Sequence, residues 1–417
     1  MWGDSMSEEF VGTSDQPIFQ SVFRNLRSYF KDLSWSAAST GILVVLVSST
    51  GPAALMLQAA RAGHFSTSQT ISWLSICWIG SGVVGLLLTL RYRMPIFGAW
   101  SSPSVALLVT GLSVHSINEA VASYYLAALA ILVIGVTGIF EKILSLVPRA
   151  VIMAMLGGVL FTFGVQIFVQ LPAEPVIVLA MLVTFFFGRR RNWRAPVVFS
   201  TAVGLIATIV MGKAASPHMV FGLTKFVWIT PKFSMGGIVT LAIPLVLLTL
   251  TTQFAPGSAV LISNGYKAPI NSMLKVSGIL SFLTAGFLNS GLNCAAISAA
   301  MGVSPQAEPN KDRRYTAAIT SGLAYIAVGI LGSTMIALFN LVPSAFLATL
   351  TGLALLPSIA SSTSEALADP DYREAAMVTF LVTVSNIHVL KLGAPFWGLI
   401  AGVVIHQVTT KKSSKTK

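Results

Sequence analysis

Charge is what this chain has least of. Only 10% of its 417 residues are Asp, Glu, Lys or Arg, against about 25% in a typical soluble domain. With 54% hydrophobic residues and a mean hydropathy of +0.80, a soluble fold is excluded. The chain reads as an integral, multi-span membrane protein whose solvent is the lipid bilayer. Acidic residues are the scarcer sign, 14 against 26 basic ones, for a net charge of +12. That excess does not point to nucleic acid, because the basic residues sit in short connectors and at the tail, where they orient a membrane bundle. Cysteine is almost absent too. Cys77 and Cys294 both fall inside apolar segments, so they read as unpaired packing residues and not as a disulfide framework. Metal-ligand spacings, nucleophile–base pairs and phosphate loops are also missing, so no metal, cofactor or catalytic residue is expected and the enzyme class drops out. The polar start of the chain carries no signal-peptide pattern.

What the chain does have is a repeat. Leu146-Val147-Pro148 and Leu341-Val342-Pro343 each open an apolar run, and Gly157 and Gly352 follow at the same offset of 195 positions. Gly204-Leu205-Ile206-Ala207 returns as Gly398-Leu399-Ile400-Ala401, and Thr50-Gly51-Pro52-Ala53-Ala54 is echoed by Ala255-Pro256-Gly257-Ser258-Ala259. Apolar runs long enough for a span fall at 37–59, 69–90, 96–112, 119–140, 148–169, 174–188 and 195–212, then at 235–256, 271–288, 291–303, 314–337, 343–361, 374–389 and 393–409. This is an all-α polytopic bundle of about 14 segments, seven plus seven. An odd number per repeat inserts the second half upside down, so a tandem duplication becomes an inverted repeat, the signature of a secondary transporter. The organisation is an N-terminal segment 1–35, a first repeat 36–212, a connector 213–234, a second repeat 235–410 and a basic tail 411–417. Arg24, Arg27 and Lys31, Arg91 and Arg93, Arg189–Arg191, Lys311 to Arg314 and the tail lysines then share one side. Both termini are therefore expected in the cytoplasm.

Two segments resist a clean helix. Residues 94–111, MPIFGAWSSPSVALLVTG, carry Pro95, Gly98 and Pro103, and residues 288–302, LNSGLNCAAISAAMG, carry Asn289, Ser290, Gly291, Asn293 and Ser298. Broken polar backbone at membrane depth is tolerated only where it is buried in protein or lines a cavity. Two such breaks at symmetric places bring helix N-termini and unpaired N–H groups together, an arrangement that suits an anion. Ser101, Ser102, Ser290, Asn293 and Ser298 add hydroxyl and amide donors, and Trp100 an aromatic surface that either stacks on a flat ligand or packs in the core. The same small residues also pack membrane helices closely, so each serine alone is weak evidence. In the eighth segment, Gln253 precedes Pro256-Gly257, which are expected to open the helix. Its amide can donate to a substrate oxygen or bond across helices. No Asp, Glu, Lys or Arg falls at the centre of segments one, three, eight or ten, so no intramembrane proton relay is visible.

At these residues the chain resembles the benzoate/proton symporter family of bacterial inner membranes (BenE-type). The resemblance runs over nearly the whole length after about residue 35. It rests on AWSSP at 99–103, TQFAPGSAVLISNGY at 252–266, NCAAISAAMG at 293–302, AEP at 307–309 before DRRY, TFLVTVS at 379–385 and APFWGLIAG at 394–402. It implies the fold of nucleobase and sulfate-type anion transporters: a core of segments 1–4 and 8–11, a gate of segments 5–7 and 12–14, and short antiparallel strands in segments 3 and 10. It implies proton-coupled uptake of benzoate or a related aromatic carboxylate by alternating access across the bacterial inner membrane. Protons and a small aromatic carboxylate are then the partners, and a homodimer is compatible with the related folds. By position, Ser101, Ser102, Gln253 and Asn293 would line the site. Gln253 falls where nucleobase relatives carry a glutamate, and an amide fits a carboxylate ligand better. The chain departs from the family in having Ser290 for a frequent histidine and Ser104 for glycine. A same-fold carrier of a nucleobase-like ring or an inorganic anion, and an anion channel, are the other readings.

Overall fold

Proline placement decides where this bundle breaks. In the computed structural model, residues 18–144, 148–193, 195–214, 222–295, 297–305, 307–385, 387–389 and 392–409 are described. The tail 411–417, Leu146-Val147 and the first 17 residues lie outside them. The chain opens with α1 (Ile18–Asp32), α2 (Trp35–Ala62) and α3 (Thr67–Tyr92), followed by the strand β1 (Gly98–Trp100) and the short helix α4 (Ser102–Gly111). Pro103 stands in the first turn of α4, where its missing N–H costs nothing. The helices α5 (Ile117–Thr137), α6 (Phe140–Leu144), α7 (Arg149–Val169), α8 (Pro175–Arg190) and α9 (Pro196–Val210) complete the first half. Capping boxes fix the starts of α3, Ser66 with Gln69, and of α5, Ser116 with Glu119.

The second half starts with α10 (Met235–Gly237), α11 (Ile243–Thr249) and α12 (Ala255–Ser263). These are one helix, Met235–Ser263, joined by π-helical turns at Ile238–Ala242 and Leu250–Phe254. Each π turn ends just before a proline, Pro244 or Pro256. A proline inside a helix removes a donor and crowds the preceding turn, and widening that turn by one residue accommodates it. Pro256-Gly257 thus does not open the helix, as the sequence led us to expect. It widens the helix instead. There follow α13 (Ile270–Thr284), β2 (Leu292–Cys294), α14 (Ile297–Gly302), α15 (Tyr315–Ile330), α16 (Gly332–Asn340), α17 (Ser344–Ala366), α18 (Arg373–Val384), the hairpin β3 (His388–Val389) and β4 (Leu392–Gly393), and α19 (Ala394–Thr409).

Among the described residues, seven helices are long and apolar enough to cross a membrane, and α15 with α16, bent by 76°, make an eighth. By length alone the expected count of fourteen crossings is not reached. The twelve residues of α18 extend about 18 Å, short of the roughly 30 Å hydrocarbon core. The helices nevertheless begin and end close to the apolar runs read from the sequence. They pack in two groups. In one, α2 and α3 lie on α15 and α5 lies on α13; in the other, α7 lies on α17 and α18, α8 on α9, and α18 on α19. The α2 helix also touches α17, which links the groups.

Candidate functional site

Three residues of β1 pair antiparallel with three of β2, with Gly98 opposite Cys294, Ala99 opposite Asn293 and Trp100 opposite Leu292. The Ala295 N–H donates to the Phe97 carbonyl at 2.8 Å and extends the ladder. Side chains alternate across a strand, so Gly98, Trp100, Leu292 and Cys294 share one face, and Ala99 and Asn293 share the other. The first face lies on α3. A Cβ on Gly98 would fall 1.9 Å from the Ser81 carbonyl oxygen, so only glycine permits this approach. Leu292 packs on Gly80. The Trp100 ring meets Trp78 of α3 at 6.4 Å and Tyr325 of α15 at 5.9 Å, both edge-on. Trp100 therefore packs behind the strand pair, on the face away from Asn293. Of its two sequence readings, stacking and packing, this geometry supports packing.

Asn293 is fully buried, and neither its Nδ2 nor its Oδ1 has a hydrogen-bond partner among the described residues. A buried amide with nothing to bond is expensive and calls for an explanation. The segment that leads to it is well tied. The Asn289 side chain accepts from the Gly291 N–H at 3.1 Å and donates to the Thr284 hydroxyl, and the Ser281 hydroxyl accepts from the Leu292 N–H at 2.7 Å. Ser290 is buried in that turn, two residues before β2, and not on the strand face. Asn289 and Ser281 are structural ties that spacing alone does not single out.

The π turn Leu250–Phe254 packs on β2 and carries Gln253, which is partly exposed. Thr251 and Thr252 donate to the Leu247 and Leu248 carbonyls at 2.7 and 2.6 Å, bonding carbonyls where the helix widens. Beyond it, Gly257 approaches the end of β2, where a Cβ would lie 3.0 Å from the Ala295 carbonyl oxygen. From the other side, Ser101 caps α4: its hydroxyl oxygen accepts from the Ser104 N–H at 3.2 Å, which leaves its hydroxyl hydrogen to donate. Ser102 is the first residue of α4 and partly exposed. Ser104 and Thr249 approach at 3.3 Å and join α4 to α11. Ser298 belongs to α14, but its side chain lies outside the described residues.

The structure thus brings Ser101, Ser102, Gln253 and Asn293 to the junction of β1, α4, the π turn and β2. Not one Asp, Glu, Lys or Arg belongs to these elements or to α14. Charge lies elsewhere, as in the ion pairs Arg93–Asp32 at 2.9 Å and Lys213–Glu174 at 3.1 Å. Among the described residues no group of three His, Cys, Asp or Glu could hold a metal. A junction of neutral donors can hold an anion through hydrogen bonds without a fixed counter-charge.

Comparison with known proteins agrees with this architecture. The family model for benzoate membrane transport protein, BenE, matches residues 31–408. The benzoate membrane transport protein of Acinetobacter baylyi is 36% identical over 386 residues, 93% of this chain and 98% of the relative. The inner membrane protein YdcO of Escherichia coli is 36% identical over 368 residues, 88% of this chain and 94% of the relative. Among solved structures, the transmembrane domain of a cyanobacterial bicarbonate transporter, BicA, superposes with a TM-score of 0.59 at 15% identity, covering 91% of this chain and 98% of that one. Murine solute carrier 26 family member A9, an anion transporter in the inward-facing state, superposes with a TM-score of 0.59 at 14% identity, covering 97% and 74%. The last two establish a shared fold only. With the match spanning most of its length, the chain belongs to the benzoate membrane transport family and is a multi-pass membrane transporter.

Proposed function

We propose that this protein takes up benzoate or a closely related aromatic carboxylate together with protons, by alternating access. The observation that carries the reading is the Asn293 amide, fully buried with both polar atoms unpartnered among the described residues. A ligand that bonds this amide turns a desolvation cost into recognition. A carboxylate matches the donors available: the Asn293 and Gln253 amides and the Ser101 and Ser102 hydroxyls. Each charge-assisted hydrogen bond contributes about 1.5–3 kcal/mol, and several together offset removal of the carboxylate from water. The ring of the substrate rests against the apolar walls, and Trp100 holds β1 in place from behind.

In this reading the two packing groups are the core and the gate. The chain is an inverted repeat of seven plus seven segments, the shorter helices completing the spans, and the core moves against the gate around one site. Both termini lie in the cytoplasm, in accord with the basic connectors.

The test is uptake of radiolabelled benzoate into proteoliposomes with acid outside, corrected by protein-free liposomes for passive entry of the neutral acid. Accumulation above that control, lost in a Gln253→Ala/Asn293→Ala double variant, is the expected outcome. Unchanged uptake in the variant removes the site, and no uptake above control removes the substrate. Inorganic anions and nucleobases are the next ligands to try, and current without accumulation marks a channel.

A further inference from the structure

One face of α1 is fastened to the bundle. Val22, Asn25 and Tyr29 recur at the spacing that keeps residues on one side of a helix, and Asn25 and Tyr29 are buried. Val22 and Tyr29 pack with Leu90 near the end of α3 and with Tyr315 and Ile319 of α15. The Asn25 amide donates to the Leu90 carbonyl at 2.8 Å, and the Tyr29 and Thr320 hydroxyls lie 3.0 Å apart. At the last residue of α1, the Asp32 carboxylate accepts from the Tyr315 hydroxyl at 2.7 Å and pairs with Arg93 at 2.9 Å and Arg313 at 3.8 Å. These bonds join α1 to the packing group that carries the strand pair.

The next face round the helix is turned away from the protein and is apolar. At about 100° per residue, Leu26 and Phe30 sit one step from Asn25 and Tyr29, and they are 41% and 77% exposed. Trp35, the first residue of α2, is 88% exposed. Along α2 it is followed at helical spacing by the exposed Ile42 and Leu46, so it begins the lipid-facing stripe of a span. The exposed apolar face of α1 thus leads in sequence into a surface that meets the bilayer. One further step round stand Arg27 and Lys31, both exposed. Neither pairs with a carboxylate among the described residues. Protein, apolar and cationic faces therefore follow one another around α1. This is the order expected of a helix that lies against a bundle in the plane of the membrane interface.

We propose that α1 is a docking surface for anionic phospholipid, in which Arg27 and Lys31 bind headgroup phosphates while Leu26 and Phe30 enter the acyl boundary. The long aliphatic stems of the two cations let Phe30 sink while their charges stay at headgroup level. Phosphate is common to a headgroup and to the free ion, but a free ion leaves Phe30 in water, and the apolar face beside the cations selects the lipid. A negative leaflet draws the cationic face towards it, whereas a zwitterionic one leaves α1 held mainly by its protein face. Through Asn25, Tyr29 and Asp32 the lipid then bears on the packing group that holds β1 and β2. The inference depends neither on the substrate nor on which way the protein is inserted.

The test places a nitroxide label on Phe30→Cys in the full-length protein in nanodiscs. Cys77 and Cys294 are buried and stay in place. The discs are phosphatidylcholine alone, phosphatidylcholine with an equal part of phosphatidylglycerol, or phosphatidylcholine with inorganic phosphate in the buffer. The quantity read is the collision rate of the label with oxygen, which concentrates in the acyl region, divided by its rate with an uncharged nickel chelate, which stays in water. The expected result is a ratio that rises several-fold with phosphatidylglycerol and not with inorganic phosphate. Arg27→Gln/Lys31→Gln should abolish the rise, and Arg27→Lys/Lys31→Arg should keep it. An equal ratio with and without phosphatidylglycerol overturns the proposal. So does a rise that survives in the glutamine pair, which traces the effect to other basic residues at this end. A rise of the same size with inorganic phosphate marks an ion site and overturns the lipid surface. Lys31→Gln alone, which should lessen the rise, serves if the glutamine pair does not elute as a monodisperse protein.

Discussion

Asn293 and Trp100 are neighbours across the β1–β2 pair, and parity along the strands sends them to opposite faces. Their substitutions should therefore behave differently. An unpartnered buried amide costs about 1–3 kcal/mol. Asn293→Leu should melt no lower than the parent in detergent, yet benzoate should no longer raise its melting temperature. A clearly lower melting temperature without ligand would mean that the amide is a structural tie. Trp100→Phe should keep uptake with little change in the half-saturating benzoate concentration, because the ring packs on Trp78 and Tyr325. A large rise in that concentration would return Trp100 to the ligand. The sequence makes Asn293 legible, since a large amide in a small-residue apolar segment stands out. It does not make the direction of Trp100 legible, because in a three-residue strand a shift of one residue reverses every side chain.

At the scale of elements, Pro256 is the informative residue. A break, a kink and a π turn are all solutions to a mid-helix proline, and composition does not choose among them. Here the π turn Leu250–Phe254 keeps the helix continuous and sets the angle at which Gln253 leaves it. Pro256→Ala removes the reason for the turn. A return to regular α-helix displaces the register by one residue, about 100° of rotation. The variant should be at least as stable as the parent, since proline in a helix costs about 3 kcal/mol, and it should transport several-fold more slowly. Equal uptake in purified, well-folded variant would show that the turn is only a packing detail. The strands themselves were readable from Pro95, Gly98 and Pro103 as a break in the helix. Their pairing with residues 292–294 came from the family resemblance, because no local pattern encodes a partner so distant in sequence.

For the whole molecule, the apolar runs located the helices well, because burial and lipid contact both demand them. The way the helices group was not readable from local pattern, since lipid-facing and core-facing residues are alike in polarity; the division into core and gate was given only by the family resemblance. His115 lies buried in the connector between α4 and α5, and nothing local in the sequence tells that this loop folds inward. The two groups are joined by a hydrogen bond from Gln58 of α2 to Thr351 of α17, 2.9 Å long. If core and gate separate during transport, a Gln58→Cys/Thr351→Cys disulfide should stop uptake, and a reductant should restore it. Uptake that survives full oxidation would show that α2 and α17 move as one body. The strand pair also bears on how the protein is made. Ala99 and Asn293 are 194 positions apart, and at about 5–20 residues per second β1 leaves the ribosome roughly 10–40 s before its partner exists. Throughout that interval the backbone groups that β1 offers to β2 have no strand to pair with, so assembly of the site cannot begin until synthesis has reached the second half.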